Sequence, residues 1–329
     1  MTLLSKHVDV AVTAQACHAS GAALPRPLRG VIPPMVTPLR DRDTLDVEGL
    51  ERLIEHILAG GVHGLFILGT TGESPSLSYR LRRELVERTC RLVNGRVPVL
   101  AGITDTSFVE SVRMADFAAE AGATAAVVAP PYYFPASQSE LAGYLEPLAA
   151  EVSLPLFLYN MPSHTKLSFG VETVRRAIEL PNVVGLKDSS GDMIYFQRLI
   201  SLCRNRPDFT LLVGPEELLG ESILLGGHGG INGGANFYPQ LYVQLYEAAR
   251  SRNLDRLALL QRQVMQVSAR LYGVGQSASS YLKGLKCILS ILGICDDIMA
   301  EPFRRFGPAE RMQVERELKE LMALGIPGG

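Results

Sequence analysis

The sequence has little that points to a secreted, membrane or nucleic-acid-binding protein. Its five cysteines are odd in number and scattered, without a Cys-x-x-Cys pair, which favours reduced thiols and a cytoplasmic location. A net charge of -2 provides neither the basic surface of a nucleic-acid-binding protein nor the polybasic segment that binds a membrane surface. The sequence also has no run of about 18 apolar residues, so no membrane span is predicted.

Two kinds of ligand site are also missing from the sequence. The six histidines show no spacing typical of a metal site, so no metal is predicted. No Gly-x-Gly-x-x-Gly segment follows the first strand-like run, which removes support for a dinucleotide-binding fold. The glycine-rich segment 226–236 could hold a phosphate, but it lacks the Gly-Lys-Ser/Thr ending of a P-loop, and tight backbone packing is the favoured interpretation.

Short apolar runs alternate with amphipathic helical patterns from Gly30 onwards. The chain has 329 residues, of which 47% are hydrophobic, enough for one large core with an appendage. The strand-like runs are residues 30–37, 64–68, 97–102, 124–129, 155–159, 183–187, 210–213 and 229–231. Helical spacing is clear at 47–60, where Asp46 is a candidate N-cap. Eight strand–helix units predict an α/β fold, a parallel sheet closed into a (β/α)8 TIM barrel.

Three regions are expected along the chain. Residues 1–29 form an N-terminal extension, residues 30–252 form the barrel, and residues 253–329 form a C-terminal helical appendage. The spare apolar faces of the appendage are expected to serve packing or oligomer formation. The extension is a poor signal peptide because Asp9 interrupts its apolar stretch, so packing on the surface or on a partner subunit is favoured.

Lys187 is the most informative residue because it ends a buried strand-like run. Residues 183–186 are apolar, as in parallel strands that are covered on both faces. Burial disfavours the ammonium form and lowers the pKa, so such a lysine can act as a neutral amine that attacks a ketone. The alternative is a lysine that extends its charge into solvent. The next residue, Asp188, is expected to cap the helix predicted at 192–204.

Other strand ends carry further candidates, because active sites of such barrels lie at the C-terminal ends of the strands. The candidates are Thr70, Thr71, Tyr133, Tyr159, His164, Gly214 and Ile231. Most of these have a plainer interpretation by themselves. A Gly-Thr-Thr-Gly segment is most often a turn, a tyrosine pair is more often an interface or pocket wall than a proton donor, and His164 alone would be a surface or pocket histidine.

Taken together, the strand ends describe one reaction type. An amine forms an imine with a ketone, and hydroxyl groups move the protons that imine formation and C–C bond making require. A glycine-rich turn with two threonines binds a carboxylate beside the ketone. No metal or other cofactor is required, because the protonated imine is the electron sink.

The chain is similar to the dihydrodipicolinate synthase/N-acetylneuraminate lyase family of pyruvate-dependent class I aldolases. The resemblance rests on Gly-Thr-Thr-Gly-Glu-Ser, Pro-Pro-Tyr-Tyr, Tyr-Asn-Met-Pro and the lysine in Val-Val-Gly-Leu-Lys-Asp-Ser-Ser-Gly-Asp. It covers the chain from about Gly30 to the C-terminal helices, and the spacing of the two tyrosines and the lysine agrees with that of the family.

The resemblance implies a role for each reactive side chain. Lys187 would form the Schiff base with pyruvate, and Tyr159 would stand over the imine carbon as general acid and base. Thr70 and Tyr133 would complete a hydroxyl relay, with Tyr133 reaching into the site of the neighbouring subunit. The resemblance therefore implies a homo-oligomer, either a dimer or a tetramer.

The resemblance also implies how the substrate is held. Thr71 would bind the pyruvate carboxylate, while Gly214 and Ile231 would shape the pocket through their backbone groups. His164 stands where dihydrodipicolinate synthases usually carry an arginine, and a shorter, partly charged histidine weakens the case for aspartate semialdehyde as second substrate. Tyr79 and Arg82 replace histidines of feedback-inhibited relatives, so control by lysine is not expected.

Several functions compete on this sequence. The leading hypothesis is a dihydrodipicolinate synthase-like lyase that joins or splits a 2-oxo acid and an aldehyde. A 2-keto-3-deoxy sugar-acid aldolase or dehydratase and an N-acetylneuraminate lyase are the alternatives within the same chemistry. A remote alternative is a non-catalytic barrel that binds small acids, which predicts a gap among the proton-relay residues.

Overall fold

The computed structural model describes residues 23–275 and 277–326. Eight parallel strands form one sheet, in which neighbouring strands follow each other along the chain. The strands are β1 (Gly30–Val31), β2 (Leu65–Ile67), β3 (Val99–Gly102), β4 (Ala125–Val128), β5 (Leu156–Asn160), β6 (Val183–Asp188), β7 (Thr210–Val213) and β8 (Gly229–Gly230). Strand β1 pairs with β8, so the sheet curls back towards its own first strand.

The segment after β1 closes the sheet against β2. Pro34 and Phe66 form a parallel bridge, the Met35 amide donates to the Phe66 carbonyl at 2.8 Å, and the Phe66 amide donates to the Pro33 carbonyl at 2.9 Å. The predicted TIM barrel is thus confirmed. The first strand is much shorter than the predicted 30–37, because Pro33 and Pro34 have no amide hydrogen to continue the ladder.

Helices cover the outside of the barrel and extend beyond it. Around the barrel lie α1 (Val47–Ala59), α2 (Tyr79–Val93), α3 (Phe108–Glu120), α4 (Gln138–Glu151), α5 (Pro162–Thr165), α6 (Val171–Ile178), α7 (Met193–Cys203), α8 (Leu219–Leu225) and α9 (Pro239–Arg250). The C-terminal part contains α10 (Leu254–Val267), α11 (Ser280–Ile291) and α12 (Pro308–Ala323). A short antiparallel hairpin, Leu39–Asp41 with Thr44–Leu45, precedes α1.

Of the two helix caps expected from the sequence, one is confirmed and one is wrong. Asp46 caps α1 as predicted and accepts from the Gly49 amide at 3.1 Å. Asp188 does not cap α7, because it is the last residue of β6. Asp192 does so instead, accepting from the amides of Ile194 at 2.8 Å and Tyr195 at 3.1 Å. Residues 189–191, between the end of β6 and Asp192, form a turn in which Gly191 has a φ of 75°.

The barrel interior is a separate apolar cluster from the layer between sheet and helices. Gly185 in β6 leaves space there, since a Cβ at this position would lie 2.4 Å from the Phe157 ring. Phe157 therefore fills the barrel two residues before Tyr159 on β5. Leu28 is buried in the same cluster, and its amide donates to Thr210 Oγ1 at 2.8 Å. The end of the predicted extension thus contacts the barrel, while residues 1–22 lie outside the described part.

None of the helices within residues 23–275 and 277–326 combines the length and apolar character that crossing a membrane requires. Four of the cysteines fall in these ranges, and each is a buried free thiol: Cys90, Cys203, Cys287 and Cys295.

Candidate active site

Lys187 and Tyr159 lie side by side at the ends of β6 and β5. They are register partners in the parallel pair, so both side chains project from the same face of the sheet, into the barrel. Lys187 is only 4% exposed, which excludes the alternative in which it extends into solvent. Its Nζ lies 4.0 Å from the centre of the Tyr159 ring and 5.1 Å from that of Phe66.

The surroundings of Lys187 favour its neutral form. Burial is the main effect and lowers the pKa of the lysine, because the ammonium group loses its hydration. Contact with Tyr159 acts in the opposite direction but does not cancel the effect of burial. Lys187 is therefore suited to supply a free amine closer to neutral pH than an exposed lysine does.

The turn after β2 places two threonines next to this pair. Thr70 Oγ1 lies 3.2 Å from the Tyr159 hydroxyl, and either atom can donate the hydrogen. Thr71 is buried beside it. The turn is closed by a hydrogen bond of 3.0 Å from the Glu73 amide to the Thr70 carbonyl. The structure thus brings together Lys187, Tyr159 and Thr70, which belong to three different strand ends.

A buried ion pair holds the same turn in place. Glu73 has a φ of 56°, a left-handed conformation that costs energy for a side chain other than glycine. Its carboxylate lies 2.5 Å from Nζ of Lys286 on α11 and also accepts from the Ala300 amide at 2.8 Å. Lys286 also donates to the Ile298 carbonyl at 2.6 Å. These contacts join the C-terminal helices to the turn.

Backbone hydrogen bonds join the ends of β6, β7 and β8, next to Lys187. The Gly214 amide donates to the Asp188 carbonyl at 2.7 Å, and the Ile231 amide donates to the Val213 carbonyl at 2.8 Å. The Asn232 side chain donates to the Gly214 carbonyl at 3.2 Å. Gly214 and Ile231 therefore sit at adjacent strand ends, as the sequence predicts, although their contact with a substrate stays a prediction.

Asp188 and Asn160 tie the two strands of the reactive pair together. The Asn160 amide group donates to Asp188 at 2.8 Å, and Ser190 donates to the other carboxylate oxygen at 2.9 Å. Burial raises the pKa of Asp188, against the lowering effect of these donors. Asn160 directly follows Tyr159 on β5, and Asp188 directly follows Lys187 on β6. Their hydrogen bond therefore aligns the two strands at the reactive pair.

Tyr133 is not part of this cluster within one chain. Its side chain is 77% exposed and packs edge-on against Phe134, at 5.1 Å between ring centres. Phe134 is 80% exposed, so two neighbouring aromatic rings stand at the surface after β4. Within the described residues Tyr133 makes no hydrogen bond to Thr70 or Tyr159. The hydroxyl relay that the resemblance implies is therefore not assembled within the described residues of one chain.

His164 lies in the short helix α5, beyond Tyr159. Its Nδ1 is 2.9 Å from the Ser163 hydroxyl. Partial burial lowers the pKa of the imidazole, and the charges of Lys166 and Lys187 lower it further. The position predicted to receive the second substrate thus carries a neutral ring at pH 7, paired with a hydroxyl group.

A buried carboxyl group behind the site was not found from the sequence. Glu216, which follows β7, accepts hydrogen bonds from the Gly234 amide at 2.8 Å, from Tyr272 at 2.8 Å and from Tyr242. Burial raises its pKa to about 7, and the charge of Glu217 adds to this effect. The sequence shows Gly-Pro-Glu at this strand end, but the two tyrosines come from α9 and from the π-helical segment Ser268–Tyr272 that follows α10.

Tyr79 and Arg82, which stand where feedback-inhibited relatives tend to carry histidines, bind the same carboxylate. Asp105 accepts from the Tyr79 hydroxyl at 2.9 Å and from Arg82 at 3.2 Å, and the Arg82 guanidinium lies 4.8 Å from the centre of the Tyr79 ring. Across residues 23–275 and 277–326, no three His, Cys, Asp or Glu side chains are arranged as metal ligands. That the reaction needs no cofactor stays a prediction.

The comparisons with known proteins agree with this geometry. Residues 27–321 match the dihydrodipicolinate synthetase family. A 4-hydroxy-tetrahydrodipicolinate synthase of Methanopyrus kandleri is 33% identical over 89% of this chain and 96% of its own. A probable 2-dehydro-3-deoxy-D-pentonate aldolase of Escherichia coli is 34% identical over 79% of this chain and 87% of its own.

Solved structures show the same fold. A dihydrodipicolinate synthase from Bacteroides thetaiotaomicron is 57% identical, with a TM-score of 0.87 over 89% of this chain and 99% of that one. An Escherichia coli prophage protein of the dihydrodipicolinic acid synthase family, in complex with pyruvate, is 30% identical, with a TM-score of 0.84 over 89% and 98% of the two chains.

Proposed function

The chain belongs to the dihydrodipicolinate synthetase family and is a lyase, and we propose that it works through a Schiff base between Lys187 and pyruvate. The observation that carries the proposal is the buried Lys187 Nζ, 4.0 Å from the centre of the Tyr159 ring. A related protein, 30% identical, binds pyruvate in its crystal structure, which supports pyruvate as the first substrate.

The neighbouring hydroxyl groups supply the proton transfers. The neutral Lys187 amine attacks the ketone carbon, and the carbinolamine that forms loses water once its hydroxyl is protonated. Tyr159 stands next to the amine and exchanges protons with Thr70 at 3.2 Å. Loss of a proton from the methyl carbon then gives an enamine, which attacks an aldehyde carbon while the aldehyde oxygen takes up a proton. Water then hydrolyses the imine, which releases the product and frees the Lys187 amine. Thr71 holds the carboxylate of the 2-oxo acid during these steps.

Reductive trapping tests the proposal directly. Incubation with pyruvate and borohydride is expected to add a stable mass to the peptide that contains Lys187, measured by mass spectrometry. Lys187→Ala should show no adduct, whereas Lys283→Ala, the same change on α11 outside the site, should trap as wild type does. A folded wild-type enzyme that forms no adduct with pyruvate would refute the proposal.

The second substrate is an aldehyde, and two classes are supported by different observations. The 57% identical structure is a dihydrodipicolinate synthase, which supports aspartate semialdehyde. The neutral His164–Ser163 pair and the 34% identical aldolase support the hydroxylated aldehyde of a 2-keto-3-deoxy sugar acid. A panel that compares condensation with aspartate semialdehyde against pyruvate release from 2-keto-3-deoxy acids and N-acetylneuraminate distinguishes these classes.

Assembly and location complete the proposal. The exposed Tyr133 and Phe134 support a homo-oligomer, a dimer or a tetramer, in which Tyr133 enters the site of a neighbouring subunit. The four buried free thiols support a reducing compartment such as the cytoplasm. The chemistry uses the covalent imine alone and no further cofactor.

A further inference from the structure

The turn that carries Thr70 and Thr71 lies between two residues with unfavourable backbone conformations. Leu68 has a φ of 57° and Glu73 has a φ of 56°, in the left-handed region that residues other than glycine rarely adopt. Such residues keep this conformation only where the surrounding contacts impose it. The position of the turn therefore depends on the contacts that hold its two ends.

The contacts that hold Glu73 come from the C-terminal part of the chain. One carboxylate oxygen lies 2.5 Å from Nζ of Lys286 on α11, and the other accepts from the Ala300 amide at 2.8 Å. Lys286 Nζ also donates to the Ile298 carbonyl at 2.6 Å, which fixes the position of the ammonium group. Both side chains of the ion pair are 1% exposed, so solvent screens their attraction little.

A short series of contacts leads from this ion pair to the reactive groups. The Glu73 amide donates to the Thr70 carbonyl at 3.0 Å. Thr70 Oγ1 lies 3.2 Å from the Tyr159 hydroxyl, and the centre of the Tyr159 ring lies 4.0 Å from Lys187 Nζ. A shift of Glu73 would therefore move the Thr70 hydroxyl away from Tyr159. Lys187 and Tyr159 would stay together, because their strands pair with each other.

Stability alone is a weak reason for burying an ion pair at this place. The loss of hydration of two buried charges is comparable to their attraction, and apolar side chains of similar volume often stabilise a protein at least as well. Apolar side chains lack direction, however. A carboxylate bound to one ammonium group and one amide has a defined position, and this position is passed on to the turn.

We propose that Lys286 is a positioning residue that acts through Glu73 to orient Thr70. The Thr70 hydroxyl is thereby held where it exchanges protons with Tyr159. Lys286 acts from behind the turn and not by contact with the substrate. The inference rests on the proposed function, because it takes Thr70 and Tyr159 as the groups that transfer protons during imine formation.

The test removes the ion pair without leaving a single charge buried. In the double variant Glu73→Gln/Lys286→Met both charges are absent, and the side-chain amide at position 73 can still accept from Ala300. The maximal rate of borohydride trapping on Lys187, at saturating pyruvate, is expected to fall about 10- to 100-fold, as for a displacement of roughly 1 Å in a reacting group. Urea unfolding of the same sample shows that the variant is folded.

A further substitution shows whether the effect passes through Thr70. Thr70→Val keeps the shape of the side chain and removes its hydroxyl, so this change lowers the rate by itself. Adding the double variant to Thr70→Val should lower the maximal rate by less than about 2-fold more, because a hydroxyl that is absent cannot be misplaced. A purely structural effect of the ion pair would lower the rate by the same factor with and without this hydroxyl.

Two other variants make the test specific. Arg42→Met/Glu301→Gln is the matched control, because it makes the same kind of change in an exposed pair and should leave the rate unchanged. Glu73→Asp retains the charge but shortens the side chain by one methylene, so the carboxylate cannot bind Lys286 and Ala300 with the turn in place. It is expected to lower the rate like the double variant. It also covers the case in which the double variant fails to fold.

The outcomes separate this inference from the proposed function. No adduct in the wild-type enzyme refutes the Schiff base itself. An adduct in wild type, with an unchanged rate in the folded double variant or in folded Glu73→Asp, overturns the role of Lys286. An equal fall in rate with and without the Thr70 hydroxyl overturns it as well, since the ion pair would then act on the site in general rather than through Thr70.

Discussion

At the scale of single residues, the proposed chemistry depends on the burial of one amine beside one phenol. Lys187 is 4% exposed and Tyr159 is 6% exposed, and the register of β5 and β6 makes them neighbours. Burial lowers the pKa of the lysine, and the Tyr159 hydroxyl is connected to Thr70. In the proposed mechanism, these three side chains provide both a nucleophile and a route for protons.

Removal of the Tyr159 hydroxyl should slow the reaction without unfolding the protein. Tyr159→Phe keeps the ring against Lys187 and Phe66 but breaks the contact with Thr70. The turnover number is expected to fall by about 10² to 10⁴-fold, the range for general acid–base catalysis, as measured by steady-state kinetics at saturating substrate. Turnover equal to that of wild type would remove Tyr159 from this role.

His164 is expected to influence the choice of the second substrate. In His164→Arg, a planar guanidinium would replace a neutral imidazole and could bind a carboxylate through two hydrogen bonds. We expect activity with aspartate semialdehyde to rise, measured as kcat/KM against wild type. If the value does not change, the selection of the aldehyde depends on other residues.

At the scale of elements, the turn after β2 is supported from outside the barrel. Lys286 on α11 neutralises Glu73, and the Ala300 amide binds the same carboxylate. Both side chains of the pair are 1% exposed, so the charges depend on each other rather than on water. Helix α11 therefore stabilises the segment that carries Thr70 and Thr71, although the helix lies more than 200 residues later.

Breaking this pair should destabilise the protein strongly. Lys286→Met leaves the Glu73 charge buried without its partner, which costs about 3–5 kcal/mol, measured as the free energy of unfolding in urea. Adding Glu73→Gln to the same variant should restore part of the loss. Arg42→Met, which breaks an exposed pair with Glu301, is the control and should change stability little. Equal effects of the two single changes would contradict this role.

At the scale of the whole molecule, one chain leaves its proposed relay incomplete. Tyr133 is exposed while its proposed partners Thr70 and Tyr159 lie inside the barrel mouth. The two aromatic rings after β4 form a surface that a second copy of the chain could cover. Assembly would then supply the missing hydroxyl to each site.

Mixing the variants Lys187→Ala and Tyr133→Phe tests whether Tyr133 acts between subunits. In a mixed dimer, one site would carry both substitutions, while the other site would have Lys187 and Tyr133 intact. Mixtures of the two variants, refolded together, are therefore expected to recover activity that neither has alone. Mixtures without such recovery would place Tyr133 in its own subunit's site or outside catalysis.

The buried Glu216 predicts how the stability of the molecule depends on pH. Its folded pKa of about 7 lies above the ordinary value of 4.5, so the folded state holds a proton that the unfolded state releases. Stability should therefore fall as pH rises from about 4.5 to about 7, by at most about 3 kcal/mol from this group. The difference in unfolding free energy between wild type and Glu216→Gln should follow that slope, and a flat difference would contradict it.

Much of the fold and part of the site could be predicted from the sequence. The eight strands were located because buried parallel strands are short apolar runs that alternate with amphipathic helices. Their boundaries shifted where a local feature intervened, as with Pro33 and Pro34 after β1. Asp188 was wrongly expected to cap α7, because the sequence does not show that β6 extends through this residue.

The sequence by itself determined the barrel and the family and placed Lys187 at a strand end, since these depend on local patterns along the chain. Only the tertiary structure decided which distant side chains meet, such as Glu73 with Lys286. Those contacts depend on how α11 packs against the barrel mouth, and packing between segments so far apart leaves no periodic pattern in the sequence. The same limit applies to Tyr133, whose partner is expected on another chain.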